Sequence, residues 1–395
     1  MTREISRNAL NIKGQPMFKL IDEAKFLESK GKNVIHLEIG DPDFDTPENI
    51  IEAAISSLRN SETHYVSSWG IEDFTKVIQG ATAGSRGFRP NLEQILVTPG
   101  ANIAIFYAIF TLVNSGQEVL VPDPGFPTYL STIEMCGAVA VPYPLKSDNR
   151  FEIRADDIEP LITPNTRLLV INNPGNPTGA ITSEEELRKI YDLAEKYDIY
   201  IYSDEIYARM TYGEVPYFSL ASIDACRERV VLSNGFSKAF SMTGWRLGTI
   251  VAPPQVAERM MMLLQTTASC VSPFIQRAGI EAIQGDQSQI ETMMSEYKDR
   301  RDLVVSKLNE IPGVFCEIPR GAFYALPDVS SFGMSSEAIA NHLLYDGLVA
   351  VVPGSNFGRQ GEGFLRLAFS KDRDMLSEGI ERISKSLERL KVTGA

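Results

Sequence analysis

Short, β-branched apolar runs alternate with helical patterns through the middle of this 395-residue chain. Gln94–Thr98, Glu118–Val121, Arg167–Ile171, Ile199–Tyr202 and Val230–Leu232 read as strands, each followed by proline, asparagine or serine. Between the first two lies Ile103–Val113, apolar nearly all round and so expected to be buried against a sheet. Ser183 opens another helix. Its hydroxyl can accept the Glu186 N–H while Glu186 reaches back, a capping box, and Leu187, Ile190, Tyr191 and Ala194 form the apolar stripe. Strands alternating in this way with helices predict a mainly parallel sheet covered by helices. The last third differs: Arg300–Leu308 and Met375–Leu390 are helical, whereas Gly321–Ala325 and Phe364–Phe369 are strand-like. Together with the N-terminal segment it reads as a second, smaller α+β domain.

Composition narrows the function. The chain is 44% hydrophobic and 23% charged, ordinary for a soluble protein long enough for two cores. A net charge of -13 repels phosphate backbones and anionic lipid, so neither nucleic acid nor a membrane surface is an expected partner. Cys136, Cys226, Cys270 and Cys316 are far apart and read as free thiols in a reducing compartment. The three histidines are equally scattered, so no metal site and no histidine-based triad is expected. Met1–Leu10 lacks an apolar signal core, and no apolar run approaches the ~18 residues of a membrane span. A cytoplasmic location is the expectation.

Chemistry gathers at the strand ends, where ligands of open α/β sheets sit. After the first strand, Thr98-Pro99-Gly100-Ala101-Asn102 opens a helix whose N–H groups suit a phosphate, although a plain turn explains it as well. After the second, Pro122–Pro127 can present Phe126 to a flat ring, or Phe126 simply packs on the core. After the third, Asn176 sits in a rigid Pro/Gly loop, Asn172–Gly179, able to donate to a phenolate oxygen. After the fourth, Asp204 suits a pyridine nitrogen that must stay protonated, with Tyr207 three residues on. After the fifth come Ser237, Lys238 and Arg246, an amine that can form a Schiff base with pyridoxal phosphate and a cation for its phosphate.

These motifs resemble the class I/II aminotransferases, fold type I pyridoxal-phosphate enzymes of the aspartate aminotransferase type. The likeness runs from about Gly40 to Ser370 and is most specific at 176–179 (Asn-Pro-Thr-Gly), 203–207 (Ser-Asp-Glu-Ile-Tyr) and 237–248. It implies a mostly parallel seven-stranded sheet sandwiched by helices, with a smaller α+β domain from both termini: 1–47 packing with the small domain, 48–290 as the large cofactor-binding domain and 291–395 as the small domain. It also implies that Lys238 is both the Schiff-base lysine and the proton shuttle. Asp204 would hold the ring nitrogen, and Asn176 and Tyr207 the phenolate. Ser237, Arg246, Ala101 and Asn102 would hold the phosphate, beneath a ring faced by Phe126. Gly40, Asn176 and Arg366 would meet the substrate, Arg366 by clamping its α-carboxylate; on residue type alone Arg366 could equally serve a structural salt bridge. Tyr65 would cross a homodimer interface to the partner's phosphate site. Gly235 departs from the many relatives that carry a phosphate-binding serine there.

The implied reaction moves an amino group between an L-amino acid and a 2-oxo acid, with 2-oxoglutarate or pyruvate as one partner. A β-lyase or synthase on the same fold is the alternative, because the same motifs serve it. A transcription regulator is disfavoured: the segment before Gly40 is too short for a DNA-binding module plus linker. A dicarboxylate substrate needs a further cation. Lys13, Lys19 and Arg320 are candidates that read as well as solvated surface charges. Gly14–Phe18 and the pair Phe323–Tyr324 are expected to line the pocket, which favours apolar or aromatic side chains.

Overall fold

The computed structural model describes residues 5–10, 12, 14, 17–213 and 215–393. Lys13, Gln15 and Pro16 therefore lie outside the described residues, as do the side chain of Phe18 and Met1–Glu4. After the short strand β1 (Ile35–His36), seven strands build the central sheet: β2 (Ile95–Thr98), β3 (Glu118–Asp123), β4 (Val139–Pro144), β5 (Thr166–Asn172), β6 (Tyr200–Asp204), β7 (Val230–Gly235) and β8 (Gly248–Val251). Their order is β2-β8-β7-β6-β5-β3-β4, and only β8 runs against its neighbours. Alternate residues of each strand enter two separate cores. Leu96, Val121, Val170 and Val231 face one, whereas Ile95, Leu120, Leu169 and Leu232 face the other. Burial on both faces is why these strands read as unbroken apolar runs.

Two strands escape the periodicity. β4 contains Pro142 and Pro144, which a sheet tolerates at an edge, and β4 is an edge strand. β8 is four residues long and follows a glycine-rich turn, too brief for a pattern. The helix after β2 spans Ala101–Leu112 and is not buried all round: Phe110 is 57% exposed, because one stripe faces away from the sheet. Of Gly321–Ala325, only β9 (Tyr324–Ala325) is strand; Ala322 has φ +56°, which turns the chain out of extended geometry.

The remaining strands are β10 (Val349–Ala350), β11 (Val352–Pro353) and β12 (Leu365–Ala368). β12 lies between β11 and β9, and β1 pairs in parallel with β10. The N–H of Leu37 donates to Ala350 O and that of Ala368 to Leu37 O, so the N-terminal segment is stitched to the C-terminal strands. Leu20, Ala24 and Val34 pack with Leu344 and Ala350 in a small core of their own.

The helix Glu184–Lys196 begins as expected at Ser183, whose Oγ accepts the Glu186 N–H at 3.4 Å, and Leu187, Ile190, Tyr191 and Ala194 are buried. The reciprocal half of the capping box is different. Glu152 Oε1 accepts the Ser183 N–H at 3.1 Å, while Glu186 Oε2 accepts the Ala155 N–H at 3.1 Å. A neighbouring segment thus replaces the local bond. Glu152→Ala should cost about as much stability as Ser183→Ala, roughly 1 kcal/mol each, in denaturant unfolding. A local capping box would leave Glu152→Ala neutral.

Candidate active site

A cavity of about 420 Å³ opens beyond the carboxyl ends of the parallel strands. Asp204 ends β6, the middle strand, and lines it. Its side chain is 5% exposed, with Oδ2 accepting the Tyr129 hydroxyl at 2.7 Å and Oδ1 accepting the Ile206 N–H at 3.2 Å. Burial pushes the Asp204 carboxyl up to about 6, with the Tyr129 hydroxyl and the Ile206 N–H pulling the other way. Tyr129 is fully buried and titrates well above its ordinary value, first through burial and then through the adjacent carboxylate, so it remains a donor.

Lys238 lies in the loop after β7, part-buried, and its Nζ donates to Gly40 O at 2.6 Å. The ammonium also lies 5.6 Å from the Phe323 ring centroid. A Cβ on Gly40 would stand 2.1 Å from the Tyr324 hydroxyl, so only glycine fits between lysine and tyrosine. That hydroxyl is 3.0 Å from Tyr207 Oη, and burial followed by the Tyr324 neighbour keeps Tyr207 protonated. Phe126 lines the same cavity and meets the Tyr129 ring edge-on at 5.8 Å.

Cationic and N–H donor groups gather in one part of the lining. Ala101 and Asn102 start the helix after Gly100 (φ +91°), and Ser237 and Arg246 stand beside them in the lining. A Cβ on Gly100 would lie 2.4 Å from Arg246 Nη2, and one on Gly248 would lie 2.6 Å from Ala101 N. Bare backbone therefore lets the guanidinium and the helix N-terminus share a cradle. A side chain at Gly235 would meet Ile206 Cδ1 at 2.8 Å and Ala101 Cβ at 3.3 Å, so a serine there has no room unless Ile206 shifts.

Arg366, on β12, is 2% exposed. Its Nη2 donates to Glu38 O at 2.5 Å and its Nη1 to Asn176 Oδ1 at 3.3 Å, while Nε has no partner. The rings of Tyr324 and Phe357 lie 4.6 and 4.8 Å from the guanidinium carbon. Among the described residues no carboxylate pairs with it, and burial pulls the guanidinium down from its ordinary value. A buried cation this short of acceptors has hydrogen-bonding capacity to spare.

Eleven positions singled out above therefore meet in one cavity: Gly40, Ala101, Asn102, Phe126, Asn176, Asp204, Tyr207, Ser237, Lys238, Arg246 and Arg366. Tyr65 stands apart, 85% exposed. Of the pocket segments, Met17 and Tyr324 line the cavity, but Phe323 does not. Lys19 and Arg320 do not line it either. Tyr129 escaped notice in the sequence, where its only signal is an aromatic hydroxyl one turn beyond Phe126. The residues fit pyridoxal phosphate: an amine lining the cavity, a cradle suited to an anion, and a buried carboxyl with two donors among the described residues.

Residues 32–383 match the family Aminotransferase class I and II. The aspartate aminotransferase of Pyrococcus horikoshii is 39% identical over 97% of each chain. Aromatic-amino-acid aminotransferase 2 of Thermococcus litoralis is 38% identical over 95% of this chain and 96% of the relative. The crystal structure of the aspartate aminotransferase from Rhizobium meliloti superposes with a TM-score of 0.94 at 29% identity, covering 98% and 99% of the two chains. The architecture is that of the fold type I pyridoxal-phosphate enzymes. This chain belongs to the class I and II aminotransferases and is a pyridoxal-phosphate-dependent transferase of amino groups. Among the described residues no helix is long and apolar enough to cross a membrane, and no cluster could hold a metal ion.

The raised Asp204 value makes a signed prediction for cofactor-free protein. The folded form keeps this proton up to about pH 6, whereas the unfolded chain releases it near 3.8. Its stabilising contribution is thus full below that lower value and disappears as pH rises through about 6. Relative to Asp204→Asn, the wild type should lose on the order of 2 kcal/mol between roughly pH 4.5 and 7 in denaturant unfolding. Equal slopes for the two proteins would contradict the burial.

Proposed function

We propose that this enzyme moves the amino group of an L-amino acid bearing an apolar or aromatic side chain onto a 2-oxo acid, with 2-oxoglutarate or pyruvate as one partner. The observation that carries the reading is the convergence of Lys238, Asp204, Arg246 and Arg366 on one cavity. When bound, pyridoxal phosphate supplies an aldehyde carbon for an amine and a ring that takes up electron density from the substrate Cα. Lys238 would provide the amine that holds the cofactor and, when freed by substrate, would be the base that takes up and returns the Cα proton. Asp204, oriented by Tyr129, would receive the ring nitrogen, and a cation there would offset the cost of burial and hold the carboxylate ionised. Asn176 and Tyr207 would donate to the phenolate oxygen, and Phe126 would face the ring. Arg246, Ser237 and the N–H groups of Ala101 and Asn102 take the phosphate. Arg366 receives the substrate carboxylate beside Gly40.

The substrate class follows from what remains. Among the described residues the cations lining the cavity are Lys238, Arg246 and Arg366, all assigned to other work. The rest of the wall includes Met17, Ile21, Ile39 and Tyr324, which offer apolar surface and no charge to a distal carboxylate. In a homodimer, Tyr65 of each protomer would reach the phosphate site of the other, which gives a use to its exposure. The division into 1–47, 48–290 and 291–395 suits the stitching of the N-terminal segment to the C-terminal strands. Four cysteines without disulfides suit the cytoplasm.

The test is a panel of half-reactions in which the aldehyde form is mixed with each amino acid and the spectral conversion timed. Phenylalanine, tyrosine and leucine should convert at least ~10-fold faster than aspartate, a difference of one unmatched charge. Free 2-oxo acid should appear without ammonia; ammonia with pyruvate would indicate a lyase. Lys238→Ala should abolish conversion, and borohydride should label Lys238 alone in the wild type. Aspartate at the head of the ranking would remove the substrate assignment and leave the aminotransferase intact.

A further inference from the structure

Strand β3 ends at Asp123, whose carboxylate meets a C-terminal turn and does not line the cavity. Asp123 is 7% exposed, with Oδ2 accepting the Arg359 N–H at 3.1 Å and Oδ1 accepting the Gln360 N–H at 3.0 Å. Two residues on, the Gly125 N–H donates to Phe357 O at 2.8 Å. Between these attachments lies Gly358 at φ +133°, where a Cβ would stand 2.1 Å from Asp123 Oδ1. Backbone with no side chain is therefore required on one side of the contact and a two-oxygen acceptor on the other. The turn so held carries Phe357, 2% exposed, whose ring lies 4.8 Å from the Arg366 guanidinium carbon. On the other side of Asp123, three residues away, is Phe126 in the cofactor cavity.

We propose that Asp123 is a positioning residue for substrate binding: its carboxylate fixes the 357–360 turn so that Phe357 backs Arg366 in the orientation that receives the substrate carboxylate. The inference rests on the proposed role of Arg366. Arg366 has two hydrogen-bond acceptors and an unpartnered Nε, so its orientation depends heavily on the two rings that flank it. Tyr324 is held through its hydroxyl contact with Tyr207, whereas the Phe357 ring makes no hydrogen bond and is set by its backbone and by the packing that buries it. The turn that carries it is tied at three points to the segment Asp123–Gly125. Asp123 is thereby linked to the guanidinium through one ring and touches neither cofactor nor substrate.

Asp123→Asn keeps the shape but presents an amide NH2 to one of the two N–H donors, and Gly358→Ala pushes the same contact apart from the other side. Both should raise the KM for amino donors about tenfold, the equivalent of one hydrogen bond, with kcat within about twofold of wild type. The affinity of the holoenzyme for an unreactive α-methyl amino acid, read by calorimetry, should fall by the same factor, and cofactor content read by absorbance should be unchanged. Adding Asp123→Asn to Arg366→Lys should raise KM no further than Arg366→Lys does alone. A purely structural role would lower the melting temperature and leave KM and ligand affinity in place, which overturns the proposal, as would full additivity in the double variant. If Arg366→Lys itself leaves KM unchanged, the fault lies with the reading of Arg366.

Discussion

A guanidinium taken out of water with no carboxylate paired to it among the described residues is the constraint around which this site is arranged. Arg366 is held by one carbonyl, one side-chain amide and two ring faces, and these come from four separate stretches of chain. Glu38 belongs to the N-terminal segment, Asn176 to the loop after β5, Tyr324 to β9, and Phe357 to the turn that Asp123 holds. Removing any one exposes a charge whose desolvation is otherwise uncompensated. The knitting of both chain ends into the C-terminal strands is intelligible in this light. A buried cation that is satisfied only in part has to be surrounded on every side.

Asp204 poses the opposite problem in the same cavity. It is a carboxyl that burial holds towards its neutral form, although the proposed chemistry wants it charged. Pairing it with Arg366 would solve both difficulties and destroy the site. The scaffold avoids this by placing the acid at the end of the middle strand of one sheet and the cation on a strand of another. In the proposed reading each charge is therefore left to be completed by a different part of what binds.

Much of this could be read from the chain because strand ends and side-chain chemistry coincide. Lys238, Asp204, Asn176 and Arg246 each follow an apolar run that is buried on both faces, and such runs are visible without a fold. Tyr129 could not be found in this way, since its importance is a 2.7 Å contact with a residue 75 positions away. Glu152 was equally hidden: the local rule supplies Glu186 as the partner of Ser183, and tertiary packing substitutes another carboxylate. β4 and β8 were lost for separate reasons, prolines permitted at an edge and a strand too brief to show a period. The exposed stripe of Ala101–Leu112 marks the limit of hydropathy as a guide, because a surface phenylalanine and a core phenylalanine carry the same letter.

The antiparallel placement of β8 has an implication for how the cofactor is held. Because β7 and β8 are consecutive and adjacent, Lys238 and Arg246 sit on a single connection between them, residues 236–247. If the proposed roles hold, the covalent tether and the side chain offered to the phosphate are two fasteners on one strap. Loosening that strap would then disturb both together, which couples retention of the vitamin-derived group to the local cohesion of a dozen residues.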